Sequence, residues 1–166
     1  MPNIILAGFM GTGKSTVGQL VAASLGMTFV DTDDLVEQAT GATIRDLFLR
    51  SEAIFRKFES VVCLQAALHN GLVISTGGGA LLNEKVRTAF EMSGMIVCLH
   101  ASVDEIMRRV GADPNRPLFG TREEVEALLN ARAAHYASLP YHVDTTGKLP
   151  EQVASEVIEL WHSTMS

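Results

Sequence analysis

Cysteine, aromatic residues and long apolar runs are all scarce in this chain of 166 residues. Its two cysteines, Cys63 and Cys98, stand in no CxxC pair and at no other metal-ligand spacing, which argues against a disulfide framework and a structural zinc site. No apolar run approaches the roughly 20 residues that a transmembrane helix needs. The N-terminus lacks a basic segment followed by an apolar stretch. We therefore expect a cytoplasmic protein with no membrane attachment, in which both thiols are free and buried.

An excess of positive charge is also missing. The chain has 13 lysines and arginines against 19 aspartates and glutamates, so its formal net charge is −6. Proteins that bind nucleic acids usually present a basic surface, so we expect no nucleic-acid partner. The length and a hydrophobic fraction of 47% predict one globular domain over residues 1–166, and we expect it to be a monomer.

The most informative stretch is GFMGTGKST, from Gly8 to Thr16. It lies between an apolar run typical of a buried strand, Asn3–Ala7, and a run with helical periodicity, Val17–Leu25. The spacing GxxxxGKS in a strand-loop-helix context indicates a phosphate-binding loop, in which backbone N–H groups and the N-terminus of the helix surround a phosphate.

This loop predicts a site for a nucleotide and its metal ion. Lys14 would reach the β- and γ-phosphates, and the Ser15 hydroxyl would join the Mg²⁺ shell. The residues that we expect to bind the nucleotide here are Gly11, Thr12, Gly13, Lys14, Ser15 and Thr16.

Acidic residues follow the second apolar run, Met27–Val30. Ligands of open α/β sheets gather at the carboxyl ends of the strands. If Asp31 and Asp33 alternate along an extended backbone, one can face the Mg²⁺ and phosphate site while the other faces an acceptor. Asp34 and Glu37 resemble a capping box for the helix that follows, so a capping role competes with function for one aspartate.

Two further segments carry polar or glycine signals. The run Ser51–His69 predicts an amphipathic helix, in which Arg56 and Glu59 are three residues apart and share a face. Taken alone, this pair is typical of a surface ion pair worth a few tenths of a kcal/mol. The strand-like run Leu72–Ser75 ends in three consecutive glycines at 77–79, which are entropically costly and indicate a strand end that faces a ligand.

The remainder alternates apolar strand-like runs with helical runs, and every connection is long enough for a helix. This pattern predicts a parallel sheet covered by helices on both faces, an α/β fold of three layers. Residues 111–120 are rich in glycine and proline. We predict a mobile lid there, with Arg116 over the transferring phosphate, although an ordinary surface connection would have a similar composition.

Taken in order, GFMGTGKST, DTDD, FRKFE, STGGG and NRPL resemble the motifs of the shikimate kinase family, from about Asn3 to Trp161. The resemblance implies a P-loop fold with a five-stranded parallel sheet of order 2-3-1-4-5. It also implies an enzyme that transfers the γ-phosphate of ATP, with Mg²⁺, to the 3-hydroxyl of shikimate, on the route to chorismate and the aromatic amino acids.

The same resemblance implies roles for individual residues. The catalytic group would be Lys14, Asp33 and Arg116. The acceptor site would be formed by Asp33, Arg56, Gly77, Gly78, Gly79 and Arg132, with Glu59 orienting Arg56. Beyond the phosphate loop, the nucleotide would be held by Arg109, Arg116, Lys148 and Pro150, and the metal by Ser15 and Asp31.

Two alternatives remain open from the sequence. A related small-molecule kinase, of the gluconate or adenylate type, would share the phosphate loop but would not need a carboxylate clamp of Arg56 and Arg132. A catalytically silent homologue should have lost Lys14, Asp33 or Arg116, and all three are present.

Overall fold

A computed structural model of the chain describes residues 1–111 and 120–166. Within them, five strands form one parallel sheet of order β2-β3-β1-β4-β5. The strands are β1 (Asn3–Ala7), β2 (Thr28–Asp31), β3 (Leu72–Ser75), β4 (Gly94–His100) and β5 (Tyr141–Asp144). The predicted fold class, strand order and central position of β1 are confirmed.

Helices cover both faces of the sheet. In chain order, the α-helices in the described ranges are α1 (Lys14–Leu25), α2 (Thr32–Thr40), α3 (Ile44–Arg50), α4 (Glu52–Ala67), α5 (Glu84–Ser93), α6 (Val103–Gly111), α7 (Arg122–Ala137) and α8 (Pro150–Met165). A short 3₁₀ turn, Ala80–Leu82, follows the glycines after β3 and was not predicted. Over the same ranges, no helix is both long and apolar enough to cross a membrane.

The central strand divides the apolar core into two halves. All five residues of β1 are buried, and successive side chains of a strand point to opposite faces. Ile4 and Leu6 pack with α1 and α8, whereas Ile5 and Ala7 pack with α4 and α5. Because both faces are covered, β1 reads as a continuous apolar run rather than an alternating one.

Both cysteines belong to this core. Cys63 on α4 and Cys98 on β4 are free and buried, as predicted. Burial raises the pKa of both thiols, that of Cys98 to about 11. At neutral pH they are therefore protonated and unreactive.

The start of α2 differs from the sequence-based prediction. The expected capping box of Asp34 and Glu37 is wrong, because the N-cap is Asp31, whose Oδ1 accepts a hydrogen bond from the Asp33 amide at 2.9 Å. That bond satisfies an N–H group of the first turn, so α2 begins directly after β2 without a loop. Asp33 consequently lies in the first helical turn and not on an extended backbone.

The position of α5 on the sheet gives a stability prediction. Phe90 is completely buried between α5 and the sheet, whereas Met92, two residues later, is 85% exposed. We expect Phe90→Ala to lower the free energy of unfolding by about 3–5 kcal/mol. Met92→Ala should change it by less than about 0.5 kcal/mol. Urea denaturation of both variants measures the difference, and equal small losses would contradict the packing of α5.

Candidate active site

The loop between β1 and α1 is shaped by glycines in the left-handed region of backbone space. Gly8, Gly11 and Gly13 have φ values of 135°, 78° and 94°. At Gly8 a Cβ atom would lie 2.1 Å from the carbonyl oxygen of Leu99, so no larger residue fits. These turns bring the loop over the N-terminus of α1, which has no side-chain cap and presents its positive end to the loop.

Two side chains close the loop on itself. The Lys14 ammonium donates to the carbonyl oxygens of Gly8 at 2.8 Å and Phe9 at 2.9 Å. The buried hydroxyl of Thr12 also donates to Phe9 O, at 2.8 Å. Lys14 is the first residue of α1, so its charge lies where the helix dipole also favours an anion.

Arg109 connects this loop to the turn after β5. Its Nη1 donates to Gly11 O at 3.3 Å and to Thr145 Oγ1 at 2.9 Å, and its Nη2 donates to Thr145 O at 2.8 Å. Glu105, one turn earlier on α6, accepts from Arg109 Nε at 3.0 Å. Hydrogen bonds from Arg108, followed by the nearby charge of Arg109, lower the pKa of Glu105 to about 2, so this carboxylate is ionised at neutral pH.

A cleft of about 240 Å³ opens beside the loop, and its lining residues are Gly11, Gly13, Lys14, Ser15, Thr16, Arg109 and Val110. The other predicted nucleotide residues are placed differently. Pro150 is the first residue of α8, and the Lys148 ammonium donates to Glu156 of that helix at 2.7 Å. Arg116 and most of the predicted lid, residues 112–119, lie outside the described residues.

Oxygen atoms converge at the ends of α1, β2 and β3. Ser15 Oγ donates to Asp31 Oδ2 at 2.8 Å and lies 3.4 Å from Ser75 Oγ. Hydroxyl and carboxylate oxygens are the donors that Mg²⁺ prefers. In residues 1–111 and 120–166, no three His, Cys, Asp or Glu side chains cluster as a metal site. The set therefore fits a Mg²⁺ ion that is held only partly by protein and otherwise by phosphate and water.

The glycines after β3 make room for an ionic cluster. A Cβ atom on Gly77 would lie 2.6 Å from Glu59 Oε2 and 3.3 Å from Asp33 Oδ1. Thr32 at the start of α2 accepts from the Gly77 amide at 3.1 Å, which ties the loop to the segment that carries Asp33. Side chains at this position would displace the carboxylates.

The next two glycines face guanidinium groups. A Cβ atom would lie 3.0 Å from Arg132 Nη1 at Gly78, and 2.8 Å from Arg56 Nη2 at Gly79. The sequence signal of three glycines thus marks the point where α4 and α7 each bring an arginine against the backbone. The predicted acceptor residues in the described ranges all meet here.

The pairing of Arg56 with Glu59 is different from a surface ion pair. Arg56 Nη1 donates to Glu59 Oε1 at 2.8 Å, but Glu59 is only 3% exposed. Its second oxygen, Oε2, is buried without a hydrogen-bond partner in the described part of the chain. Burial raises the pKa of Glu59 in spite of the opposing charges of Arg56 and Arg132. The spacing taken alone was typical of a surface pair, but Glu59 is buried because α4 turns this face toward the loop.

The contributors to the site that were not predicted include Thr32, Ser75, Glu105, Tyr136 and Thr145. The phenol of Tyr136 donates to Gly78 O at 2.8 Å. Its position four residues after Arg132 places both on one face of α7, which was an available signal. Glu105 lies four residues before Arg109 on α6, a spacing that was also an available signal. Thr32 gave no such signal, since it acts through a contact with Gly77, which is distant in sequence.

A larger cleft of about 540 Å³ lies between α2 and α4, on the outer side of β2. Its lining is mainly apolar with two glutamines and one histidine, and no arginine or lysine is among the described residues that form it. Size alone would favour this cleft, but it offers no cation for a phosphate. The chemistry therefore favours the smaller cleft at the loop.

Comparison with known proteins agrees with this geometry. The sequence model of a family described as shikimate kinase matches residues 10–162. The chain belongs to the shikimate kinase family. A shikimate kinase of Thermodesulfovibrio yellowstonii is 39% identical over 163 residues, which are 96% of this chain and 94% of that protein. The structure of a shikimate kinase from Acinetobacter baumannii in complex with shikimate is 34% identical, with a TM-score of 0.92 over 99% of this chain and 94% of that one.

A solved structure from outside the shikimate kinase family shares the fold at low sequence identity. A gluconokinase from Sinorhizobium meliloti has a TM-score of 0.64 over 99% of this chain and 95% of its own, at 16% identity. The shared fold thus extends to kinases with other acceptors, whereas sequence similarity over nearly the whole chain is found with shikimate kinases.

The buried carboxylate gives a prediction about pH. Because the pKa of Glu59 is raised above its ordinary value of 4.5, the folded protein binds this proton more tightly than the unfolded chain does. Stability is therefore lost as the pH rises from about 4.5 through the raised pKa. Each tenfold difference in proton affinity is worth about 1.4 kcal/mol. Glu59→Gln should remove this loss, so the variant gains stability relative to wild type as the pH rises.

Urea denaturation at pH 4.5 and pH 8 checks this expectation. The matched control is Glu52→Gln, because Glu52 also approaches Arg56, at 3.6 Å, but its side chain is 68% exposed. Its stability relative to wild type should be nearly the same at both pH values. The same pH dependence in both variants would show that Glu59 does not ionise against a burial penalty.

Proposed function

We propose that this chain is a shikimate kinase, which transfers the γ-phosphoryl group of ATP to the 3-hydroxyl of shikimate and releases ADP. Family membership supports the assignment. The observation that carries it is the glycine cradle at Gly77–Gly79, which lets Arg56 and Arg132 approach neighbouring backbone positions beside the phosphate loop.

The two halves of the proposed site are adjacent. A Cβ atom on Gly78 would lie 3.7 Å from Gly8 O, the same carbonyl that accepts a hydrogen bond from Lys14. An acceptor in the cradle would therefore lie next to the phosphoryl group that Lys14 holds. Proximity of this kind supplies much of the rate in phosphoryl transfer, where positioning and charge neutralisation dominate.

The acceptor would be recognised through its carboxylate. Arg56 and Arg132 present planar guanidinium groups, which suit a carboxylate because they can donate two parallel hydrogen bonds. Arg56 is held by Glu59 and lies 5.2 Å from the Phe55 ring centroid and 5.8 Å from that of Phe48. The aromatic rings and Glu59 restrict its rotamers before the acceptor binds.

Asp33 would orient the reacting hydroxyl and accept its proton. The hydroxyl oxygen forms a bond to the γ-phosphorus while the bond between that phosphorus and the β,γ-bridging oxygen breaks, and ADP leaves. Lys14 stabilises the charge on the phosphates, and Arg109 holds the nucleotide side of the cleft. Mg²⁺, which Ser15 and Asp31 would hold, neutralises phosphate charge when it is bound. From the family resemblance, we propose that Arg116 also stabilises the negative charge of the phosphates.

Further proposals concern the whole chain. Residues 1–166 form one domain, the protein is a monomer, and it works in the cytoplasm. Light scattering during gel filtration would test the proposal of a monomer by measuring the molar mass of the eluted protein, which would be twice the mass of the chain for a dimer.

An acceptor assay tests the function. ADP release should depend on shikimate and be much slower with quinate, gluconate or AMP. Lys14→Ala should lower kcat by about 10²-fold or more, because the lysine serves the phosphate charge. Lys85→Ala, which changes an exposed lysine on α5, should leave kcat unchanged. Preference for gluconate would favour the rival kinase class, and no turnover with any acceptor would favour a silent homologue.

The cradle gives a separate prediction. In Gly79→Ala the new methyl group would lie 2.8–3.0 Å from the Arg56 guanidinium, which can move aside because it ends a flexible side chain. The fold should persist while the clamp loses a charge-assisted hydrogen bond. We expect the KM for shikimate to rise about 10- to 100-fold, with the KM for ATP nearly unchanged. Initial rates measured at varied shikimate and varied ATP concentrations give the two KM values separately. An equal rise in the KM for shikimate and the KM for ATP would place Gly79 outside the acceptor site.

A further inference from the structure

We infer that Tyr136 is a positioning residue of the acceptor site. It fixes the distance between the cradle backbone and the face of α7 that carries Arg132. The inference rests on the proposed function, because that function places the acceptor at this site. Its central observation is the hydrogen bond from the Tyr136 hydroxyl to Gly78 O, at 2.8 Å.

The cradle is anchored by three different neighbours. Thr76 donates to Leu6 O of β1 through both its amide and its hydroxyl, each at 3.0 Å. The Gly77 amide is held by Thr32 of α2. Among the hydrogen bonds that the structure describes for this loop, the bond from Tyr136 is the one that comes from α7. Without it, nothing polar in that set ties the loop to the helix that carries Arg132.

Tyr136 and Arg132 meet the same backbone position. They are four residues apart on α7 and therefore share a helix face. A Cβ atom on Gly78 would lie 3.0 Å from Arg132 Nη1 and 3.6 Å from the Tyr136 hydroxyl. Burial raises the pKa of the phenol although Arg132 opposes the rise, so the hydroxyl keeps its proton and remains a donor at neutral pH.

The ring of Tyr136 is held in place by apolar side chains. It contacts the cluster of Phe9, Ile106, Val110 and Val125 and also the core half that contains Leu139. Two residues later, at the C-cap of α7, Arg87 of α5 donates to the hydroxyl and carbonyl oxygens of Ser138, at 2.8 and 3.0 Å. A phenol on a fixed ring loses little entropy when it bonds, so it can set the distance between Gly78 and α7.

The test is Tyr136→Phe, which keeps the ring and removes only the hydroxyl. We expect the KM for shikimate to rise about 5- to 10-fold, while kcat and the KM for ATP stay within about twofold. The control is Tyr141→Phe, since the chain has two tyrosines and the hydroxyl of Tyr141 has no hydrogen bond within residues 1–111 and 120–166. Tyr141→Phe should leave all three constants at wild-type values.

A second measurement separates positioning from general stability. If Tyr136 acts by placing Arg132, then Tyr136→Phe should have little further effect on the KM for shikimate in an Arg132→Ala background, because coupled residues are not additive. Full additivity, or an equal rise in both KM values, would overturn the inference, as would wild-type constants in Tyr136→Phe. If the wild-type protein does not phosphorylate shikimate, the proposed function and this inference both fail. If the wild-type protein is active and Tyr136→Phe has the same kinetic constants, only the inference fails.

Discussion

The geometry of the proposed active site depends on a lack of space at the end of β3. Three successive backbone positions, Gly77–Gly79, lie so close to ionic side chains that a Cβ atom at any of them would come within 3.0 Å of a carboxylate or guanidinium atom. The strand end therefore works as a template against which α2, α4 and α7 place their charged groups. Glycine costs conformational entropy here, and the core on both faces of the sheet offsets that cost.

Much of the fold was predictable because its signals are local. Buried strands with helical connections imply a parallel sheet, and the phosphate loop fixes which strand precedes α1. The strand order came from the family resemblance and not from periodicity. The start of α2 was mispredicted because three aspartates and a threonine offer several caps, and only the three-dimensional position of β2 decides that Asp31 fills the role.

The sequence could predict which charged residues belong to the acceptor site, but it could not predict whether each of them is buried or exposed. Arg56 and Glu59 have the same spacing as an exposed helix pair, and periodicity cannot tell which face of α4 the loop after β3 will cover. The contact between Tyr136 and Gly78 joins residues 58 positions apart, which no local pattern can indicate. Asp33 and Arg132 were assigned by resemblance, and the structure adds the backbone position at which each is held.

Asp31 carries two duties on separate oxygens, one that caps α2 and one that accepts from Ser15. This division limits protein engineering at the site. A glutamate has an additional methylene and cannot keep both bonds from the same backbone, and N-cap positions favour short side chains. For the proposed cation site, the hydroxyls of Ser15 and Ser75 are therefore the better positions at which to alter the choice of cation, because loss of the side-chain oxygen at position 31 would also cost about 1 kcal/mol at the first turn that presents Asp33.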